Sequence, residues 1–576
     1  AVAYAHQRGV KVYVTVNNSY FQDELEGLAE YLQFLQGIAV DALIIQDLAV
    51  LRLARDAGID LPLHASVQMG IANHLAVQAL EEAGVARVIL SKNLSLEEIA
   101  AIRSRTALGL EYFVHGDLCV SHAGQCVMSA LVCGESGNRG RCRKPCRWPF
   151  LLQGEGLPEG AGASLRYWLA HKDLSLWAYL AQLAAAGVTS FKIEGRMRDA
   201  EFLAFLVGAY RQALDALCEG RQPEAQVENA LRQRRVRDFT TGSLFGPPGP
   251  DSVGLGGERE PHFPTRAVPV PGPSGPAVPS PQPHGKAPRL AVGCGSLEHV
   301  EAVLARGVGR VIVGGESFRQ YRGWSEEELR EACRMGRASG AEVLVEGPRC
   351  LAERFVGGVG AQVELAREAG AQGFVAHDLG TLRAVVAGGM RACAGYGLNV
   401  TNAAAAAVLR QLGAELVTGA LELRGRQWEL LAAGADVALE AVVHGPLTGM
   451  ISDYCPVRAA LAGEEQACAA ACARGAWLTD ELGQRYEVLT DQWCRAHVLA
   501  PRHLCLLGHL DRLRQAKVSV LRIEGHLYGT EELVRIVDLY LSALDQEPAG
   551  CADAVGCAAL QQCTGCQLTD YPFTAA

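Results

Sequence analysis

Along the first 215 residues, short β-branched runs alternate with amphipathic stretches. The runs are VKVYVTV (10–16), ALIIQD (42–47), LPLHAS (61–66), RVILSK (87–92), LEYFVHG (110–116) and VTSFKIEG (188–195). Stretches between them, such as LAVLRLARDAG and NHLAVQALEEAG, carry apolar residues at helical spacing and close on Gly, which suits a helix C-terminus. Strand–helix alternation with short loops predicts a parallel sheet wrapped by helices. Six strands are too few for a closed eight-stranded barrel. The chain opens inside a helical stretch, AVAYAHQRG, so two strands upstream are expected to complete the barrel.

After RQRRVRDFTTGSLFG the pattern breaks. Residues 246–288 hold 13 of the 24 prolines, with Gly and Ser between them, a composition expected of a semi-extended linker. From Arg289 the alternation restarts and reaches eight: RLAVGCG, RVIVGGE, AEVLVEG, GFVAHD, RACAGYG, ELVTGAL, VALEAVVHG and VSVLRIEG. That is the full complement of a (β/α)8 barrel.

The two halves repeat one another. ALIIQDLAVLRLARDAG matches GFVAHDLGTLRAVVAGG, LEYFVHG matches LEAVVHG, and TSFKIEGRMRDAEFLAFLVGAY matches SVLRIEGHLYGTEELVRIVDLY. Asp47, Asn73, His115 and Glu194 are separated by 26, 42 and 79 residues; Asp378, Asn402, His444 and Glu524 by 24, 42 and 80. The prediction is therefore an α/β chain of two related TIM-barrel-like (β/α)8 domains, the first lacking its N-terminal strands. The first spans 1–245 with a cysteine-rich insertion at 117–150. The second spans 289–548 with an insertion at 446–500, and 549–576 form a cysteine-containing tail.

Polar residues stand at corresponding strand ends: Asn17, Asp47, His64, Lys92, His115 and Glu194. In a barrel those ends line the mouth that carries active sites. Asp47, Lys92, His115 and Glu194 are the candidate acid/base residues; capping of the following helix is the competing role.

The cysteines sharpen this. Five of the 19 lie at 119, 126, 133, 142 and 146, beside five cations: Arg139, Arg141, Arg143, Lys144 and Arg147. In the second half Cys455, Cys468, Cys472 and Cys494 partly echo the spacing. Four thiolates suit tetrahedral zinc or an iron–sulfur cluster, and spacing alone does not choose. Nearby cations favour thiolates. The same basic run, with Trp148, suits an RNA backbone and a stacked base, and RQRRVR (232–237) would extend it. The net charge of −10 excludes whole-surface nucleic-acid binding but not a local patch. No run approaches the ~18 apolar residues of a membrane helix. Isolated cysteines in apolar stretches suggest reduced thiols and a cytoplasmic location. HExxH, GxSxG and Walker motifs are absent.

The blocks EYFVHGDLCVSHAGQC, NRGRCRKPCRW, FKIEGRMRDAEF and FTTGSLFG, in that order, resemble the signature of peptidase family U32, the collagenase-like proteins. ISDYC, the C-x12-C-x3-C spacing and DQWCR are similar to the C-terminal barrel of its long members. The family name implies proteolysis. Its better understood members imply oxygen-independent hydroxylation with a [4Fe–4S] cluster, either of a tRNA or rRNA base with prephenate as hydroxyl donor, or of the ubiquinone ring. Carried over, the cluster ligands would be Cys119, Cys126, Cys142 and Cys146, with Cys133 spare. Cys455, Cys468, Cys472 and Cys494 would by analogy hold a second cluster. Asp117 departs from the family, where a small residue follows the His-Gly pair. The leading expectation is an RNA-base hydroxylase; the alternatives are a peptidase and a non-catalytic RNA-binding protein with structural zinc.

Overall fold

The computed structural model describes residues 1–576 except 159, 161, 197, 258–287, 322, 462–464, 546–557, 559, 563–564 and 575–576. In the first repeat β1 (Tyr13–Val16), β2 (Ala42–Ile45), β3 (Leu63–Ala65), β4 (Arg87–Ile89) and β5 (Gly109–Gly116) run parallel in chain order. The chain then enters the cysteine-bearing insertion, which contains β6 (Leu151–Gly154) and β7 (Asp173–Ser175). It returns as β8 (Ser190–Ile193), parallel to β5. β9 (Phe239–Thr240) pairs with β7. All four residues of β2 are buried, as expected for a parallel strand covered on both faces. Among the described residues β8 does not pair with β1, so this sheet is open.

The second repeat closes. β10 (Arg289–Gly293), β11 (Arg310–Gly314), β12 (Glu342–Glu346), β13 (Gly373–Ala376), β14 (Ala392–Ala394), β15 (Ala414–Thr418) and β16 (Ala438–Gly445) run parallel in order. The second insertion holds β17 (Thr448–Ser452), β18 (Ala476–Thr479), β19 (Arg485–Thr490) and β20 (Ala496–Leu499). After β21 (His503–Cys505), β22 (Val520–Ile523) pairs with both β16 and β10. The result is a closed eight-stranded parallel barrel. Ala291, Ile312, Leu344, Val375, Cys393, Leu416 and Val520, one from each of seven strands, form a packed apolar cluster of their own.

The insertions are not separate lids. β17, β20, β19 and β18 form an antiparallel sheet, and β6 from the first insertion adds to it beside β18. Val120, Met128, Trp148 and Phe150 share one apolar core with Tyr454, Cys455, Cys472 and Tyr486. The first insertion thus reaches past residue 150, because its own strand needs the other insertion's edge. The first repeat likewise packs beyond 245. Val253 is buried in this core, and the Lys172 amide donates to the Ser252 carbonyl at 2.9 Å. The rest of the proline-rich segment, 258–287, lies outside the described residues, as do Cys551, Cys557 and Cys563. Of the tail, Leu568–Thr569 pairs with β21 and Phe573 is buried.

The repeats also meet through helices. Ala49–Asp56 packs on Ala403–Gln411, and His74–Glu82 on Leu379–Ala387. Each pair joins a helix to its counterpart's neighbour in the other repeat. Among the described residues no helix is long and apolar enough to cross a membrane.

Candidate functional site

Gly116 ends β5 at φ +112°, where a Cβ would lie 2.3 Å from the Glu194 carbonyl oxygen. Glycine alone lets the chain turn away here against β8, and Gly445 does the same against Glu524. The turn delivers Asp117 and Cys119 to the mouth of the first repeat. Cys126, Cys142 and Cys146 return to the same place from the insertion. Burial, then the charges of the other three thiols, pushes Cys126 far above the usual thiol range. Burial and the neighbouring thiols Cys119 and Cys142 raise Cys146 in the same way.

Backbone amides face these sulfurs. The Lys144 amide donates to Cys142 Sγ at 3.3 Å, and those of Ser121 and Met128 serve Cys119 and Cys126. Lys144 sits at φ +54°, a strained setting for a residue with a side chain. That conformation turns the loop back so that its amide meets Cys142 while its side chain meets Asp117. All four cysteines are free thiols, and Cys133 is buried in the apolar core shared by the insertions. Among the described residues, no three His, Cys, Asp or Glu side chains converge tightly enough for one metal ion. The four thiols are neighbours without meeting at a point. As a donor set they fit an iron–sulfur cluster: four sulfurs that repel one another when ionised, met by N–H donors and by cations.

The cations beside them are mostly committed. Asp117 accepts from Lys144 at 3.0 Å, Arg147 at 2.6 Å and Arg237 at 3.1 Å. Burial opposes its ionisation, yet these three cations outweigh it and hold the carboxyl well below the usual range. Arg237 also reaches Asp173 at 3.2 Å, and Arg198 pairs with the same carboxylate. Arg139 is held by Glu24 at 2.6 Å and lies 3.9 Å over the Phe21 ring. The exposed Arg141 and Arg143 make looser ion pairs, at 3.8 and 3.6 Å, with Glu135. The expected basic face is therefore narrower than the run suggests. Trp148 is 1% exposed and belongs to the core, so it cannot stack a base. Arg237, from the RQRRVR segment, points inward rather than extending a patch.

Lys92 lies among these groups. Its Nζ donates to the Asp117 carbonyl at 2.9 Å and sits 4.1 Å over the Phe113 ring. Burial lowers its pKa, against the charges of Asp117, Cys119 and Glu194. Glu194, half-buried at the end of β8, accepts from the Arg196 amide at 3.0 Å. Lys92 and Glu194 thus stand at the mouth with the thiols.

His115 and Asp47 have other partners. The His115 ring is 3% exposed, with Nδ1 3.1 Å from the Tyr210 hydroxyl and Phe239 edge-on at 5.3 Å. Burial depresses its pKa to about 4. His444 repeats the arrangement with Tyr540 at 3.3 Å, and each tyrosine also donates to the strand carbonyl before its histidine. The duplicated histidine ties its strand to the helix that follows the next barrel strand, Ala200–Cys218 in the first repeat and Thr530–Asp545 in the second. Asp47, just ahead of the Ala49–Asp56 helix, accepts from the Ala49 amide at 2.9 Å, from the Tyr20 amide and from Asn402. It lies in the cleft between the repeats, with His122, Gln125, Arg349 and Asp378.

Cys455, Cys468, Cys472 and Cys494 are also brought together, in the second insertion. The barrel mouth beneath is filled with charge. Arg522, fully buried, pairs with Glu346 and Glu524 at 2.6 Å each, and His377 reaches Glu346 at 2.8 Å. The Asp117–Asp173 network escaped sequence reasoning, although Asp117 stood out as a departure. Arg237, which joins the two carboxylates, lies 120 residues from Asp117 and 64 from Asp173.

The sequence profile of peptidase family U32 matches residues 1–254 and 295–563. Among curated proteins, the 23S rRNA 5-hydroxycytidine synthase of Escherichia coli is 39% identical over 232 residues, covering 40% of this chain and 34% of that protein. The tRNA hydroxylation protein P1 of Bacillus subtilis is 31% identical over 264 residues, 43% of this chain and 60% of that protein. An uncharacterized protease of Methanocaldococcus jannaschii is 34% identical over 253 residues, 42% of this chain and 61% of that protein. The chain thus spans between a third and two thirds of the length of these relatives.

Proposed function

The chain belongs to peptidase family U32, and from that premise we propose that it hydroxylates a base of tRNA or rRNA without dioxygen, with a [4Fe–4S] cluster held by Cys119, Cys126, Cys142 and Cys146. The observation that carries this reading is the gathering of those four thiols at the mouth of the first repeat, beside Lys92 and Glu194. Relatives named for rRNA and tRNA hydroxylation support the choice of RNA. When bound, the cluster supplies one-electron redox chemistry at the mouth.

The chain's own residues do the rest. Lys92 offsets the negative charge of a thiolate-bound centre and, with its proton loosened by burial, can donate it to a bound substrate or to an anionic hydroxyl donor such as prephenate. Glu194 provides an acceptor on the same rim. The Asp117 hub fixes Lys144, Arg147 and Arg237 and so holds the loop carrying Cys142 and Cys146 against the strand end that carries Cys119. Arg141 and Arg143, exposed at the loop's edge, meet the RNA backbone. The protein would work in the cytoplasm, where its RNA substrates are.

The test is anaerobic. Reconstituted protein, given tRNA or rRNA and prephenate with oxygen excluded, should add one oxygen to a base, read by mass spectrometry of the digested nucleosides. A base that gains oxygen only when dioxygen is admitted, or peptide hydrolysis with unmodified RNA, overturns the reading.

A further inference from the structure

Three separate segments of the second insertion bring thiols to one place. Cys468 and Cys472 lie one turn apart on one face of the helix Glu465–Arg474. Cys455 precedes the helix Pro456–Ala460, and the amides of Val457 and Arg458 at that helix start face its sulfur. Cys494 comes from the turn between β19 and β20. Asp491, fully buried, builds that turn. Its carboxylate accepts from the Trp493 amide at 2.9 Å and pairs with Arg495 at 2.6 Å and His497 at 3.1 Å. The turn forces Cys494 to φ +60°, a backbone setting that a cysteine has no intrinsic reason to adopt.

What this strain achieves is visible at the sulfur. Arg319 Nη2 donates to Cys494 Sγ at 3.0 Å, and its own amide is tied to the Thr490 carbonyl at 2.8 Å. The guanidinium also feels Cys472 and Cys468. Arg319 and Cys494 are both exposed, so burial does not force the contact. The guanidinium is thus set on a thiol group rather than a carboxylate, which fixes where the Cys494 sulfur points. Four thiols, helix-start amides on one and a guanidinium on another make a donor set for a thiophilic metal cluster.

We propose that Cys455, Cys468, Cys472 and Cys494 form a second iron–sulfur site, independent of the first, with Arg319 as its positioning residue. The four thiols, like those of the first insertion, are neighbours that do not converge on one ion. The site is not a copy of the first: its fourth ligand comes from a hairpin that the first insertion does not have in that form. Its evidence is its own geometry, so it stands whether or not the first repeat acts on RNA.

Iron and acid-labile sulfide per chain, measured on the full protein after anaerobic reconstitution, test it. Cys468→Ala/Cys494→Ala changes two thiols outside the deeply buried set and should halve both contents. Cys119→Ala/Cys142→Ala should remove the other half, and the quadruple variant should bind none. Wild-type iron in the first double variant, or zinc in place of iron at the second site, overturns the proposal. Should Cys119→Ala/Cys142→Ala keep all its iron, the reading of the first site fails and this one does not. Arg319→Leu leaves every thiol in place and guards against a folding artefact. It should shift the midpoint potential of one of two paramagnetic cluster signals and leave the other unmoved. Two unmoved signals overturn the role of Arg319, and a single signal in the wild type overturns the second site.

Discussion

Asn402 Nδ2 donates a 2.9 Å hydrogen bond to the Asp47 carboxylate across the boundary between the two repeats. The counterpart contact, Asn73 to Asp378, is 3.4 Å. Each asparagine splits its amide: the oxygen caps its own helix, accepting at 2.8 Å from Ala405 or Ala76, and the nitrogen bridges the repeats. Residues that look like two sets of barrel-mouth groups are, in part, each other's partners.

Asn402→Ala should therefore cost about 1–3 kcal/mol of stability, combining a lost helix cap with a buried carboxylate deprived of a donor. Urea unfolding measures it. Iron binding at Cys119, Cys126, Cys142 and Cys146 should be unchanged, because Asp47 takes no part in that site.

Asp47 also sets a pH dependence. Burial raises its pKa to about 6, against the hydrogen bonds from Tyr20, Ala49 and Asn402. The native state thus binds a proton that the unfolded chain has released above about pH 4. Its contribution to stability falls as pH rises from about 4 to 6 and stays low above that. Asp47→Asn should remove that slope, so that the difference between variant and wild type changes by on the order of 3 kcal/mol over the window. Unfolding midpoints at pH 4.5 and 7 read this out; an unchanged difference contradicts the burial of a carboxylic acid there.

Asp117→Asn should be among the most damaging changes in the first insertion. It replaces the carboxylate facing Lys144 and the nearly fully buried Arg147 side chain by a neutral amide, while Arg237 keeps Asp173. Breaking such a buried pair costs about 3–5 kcal/mol. Limited proteolysis should show cleavage within 117–150 in the variant well before the second barrel is cut.

RNA binding should depend on salt mainly through the loosely held arginines. Arg141→Ala/Arg143→Ala should reduce the slope of log affinity against log salt by about two. Arg139→Ala should leave the slope nearly intact, since Glu24 already neutralises that side chain. Filter binding at several salt concentrations separates the two outcomes.

The barrel order, the duplication and both thiol sets could be read from the chain because each is a periodic or repeated signal. Lys92 and Glu194 reach the mouth as their strand-end positions imply. Asp47 and His115 occupy equivalent positions, and nothing local distinguishes them. Their partners, Asn402 and Tyr210, are 355 and 95 residues away and become partners only when helices pack. The basic run misled for the same reason, as it is neutralised by Asp117, Glu24 and Glu135 from outside its span. The sheet shared by the insertions was illegible because β6 has no partner of its own until β18 is beside it.

Cys142→Ala under strictly anaerobic conditions tests the central claim most directly, by comparing iron content and RNA hydroxylation with the wild type in one preparation. The account predicts that the variant loses the iron of the first site and stops adding oxygen to the base while remaining folded. A variant that keeps its full iron and continues to hydroxylate RNA would contradict it.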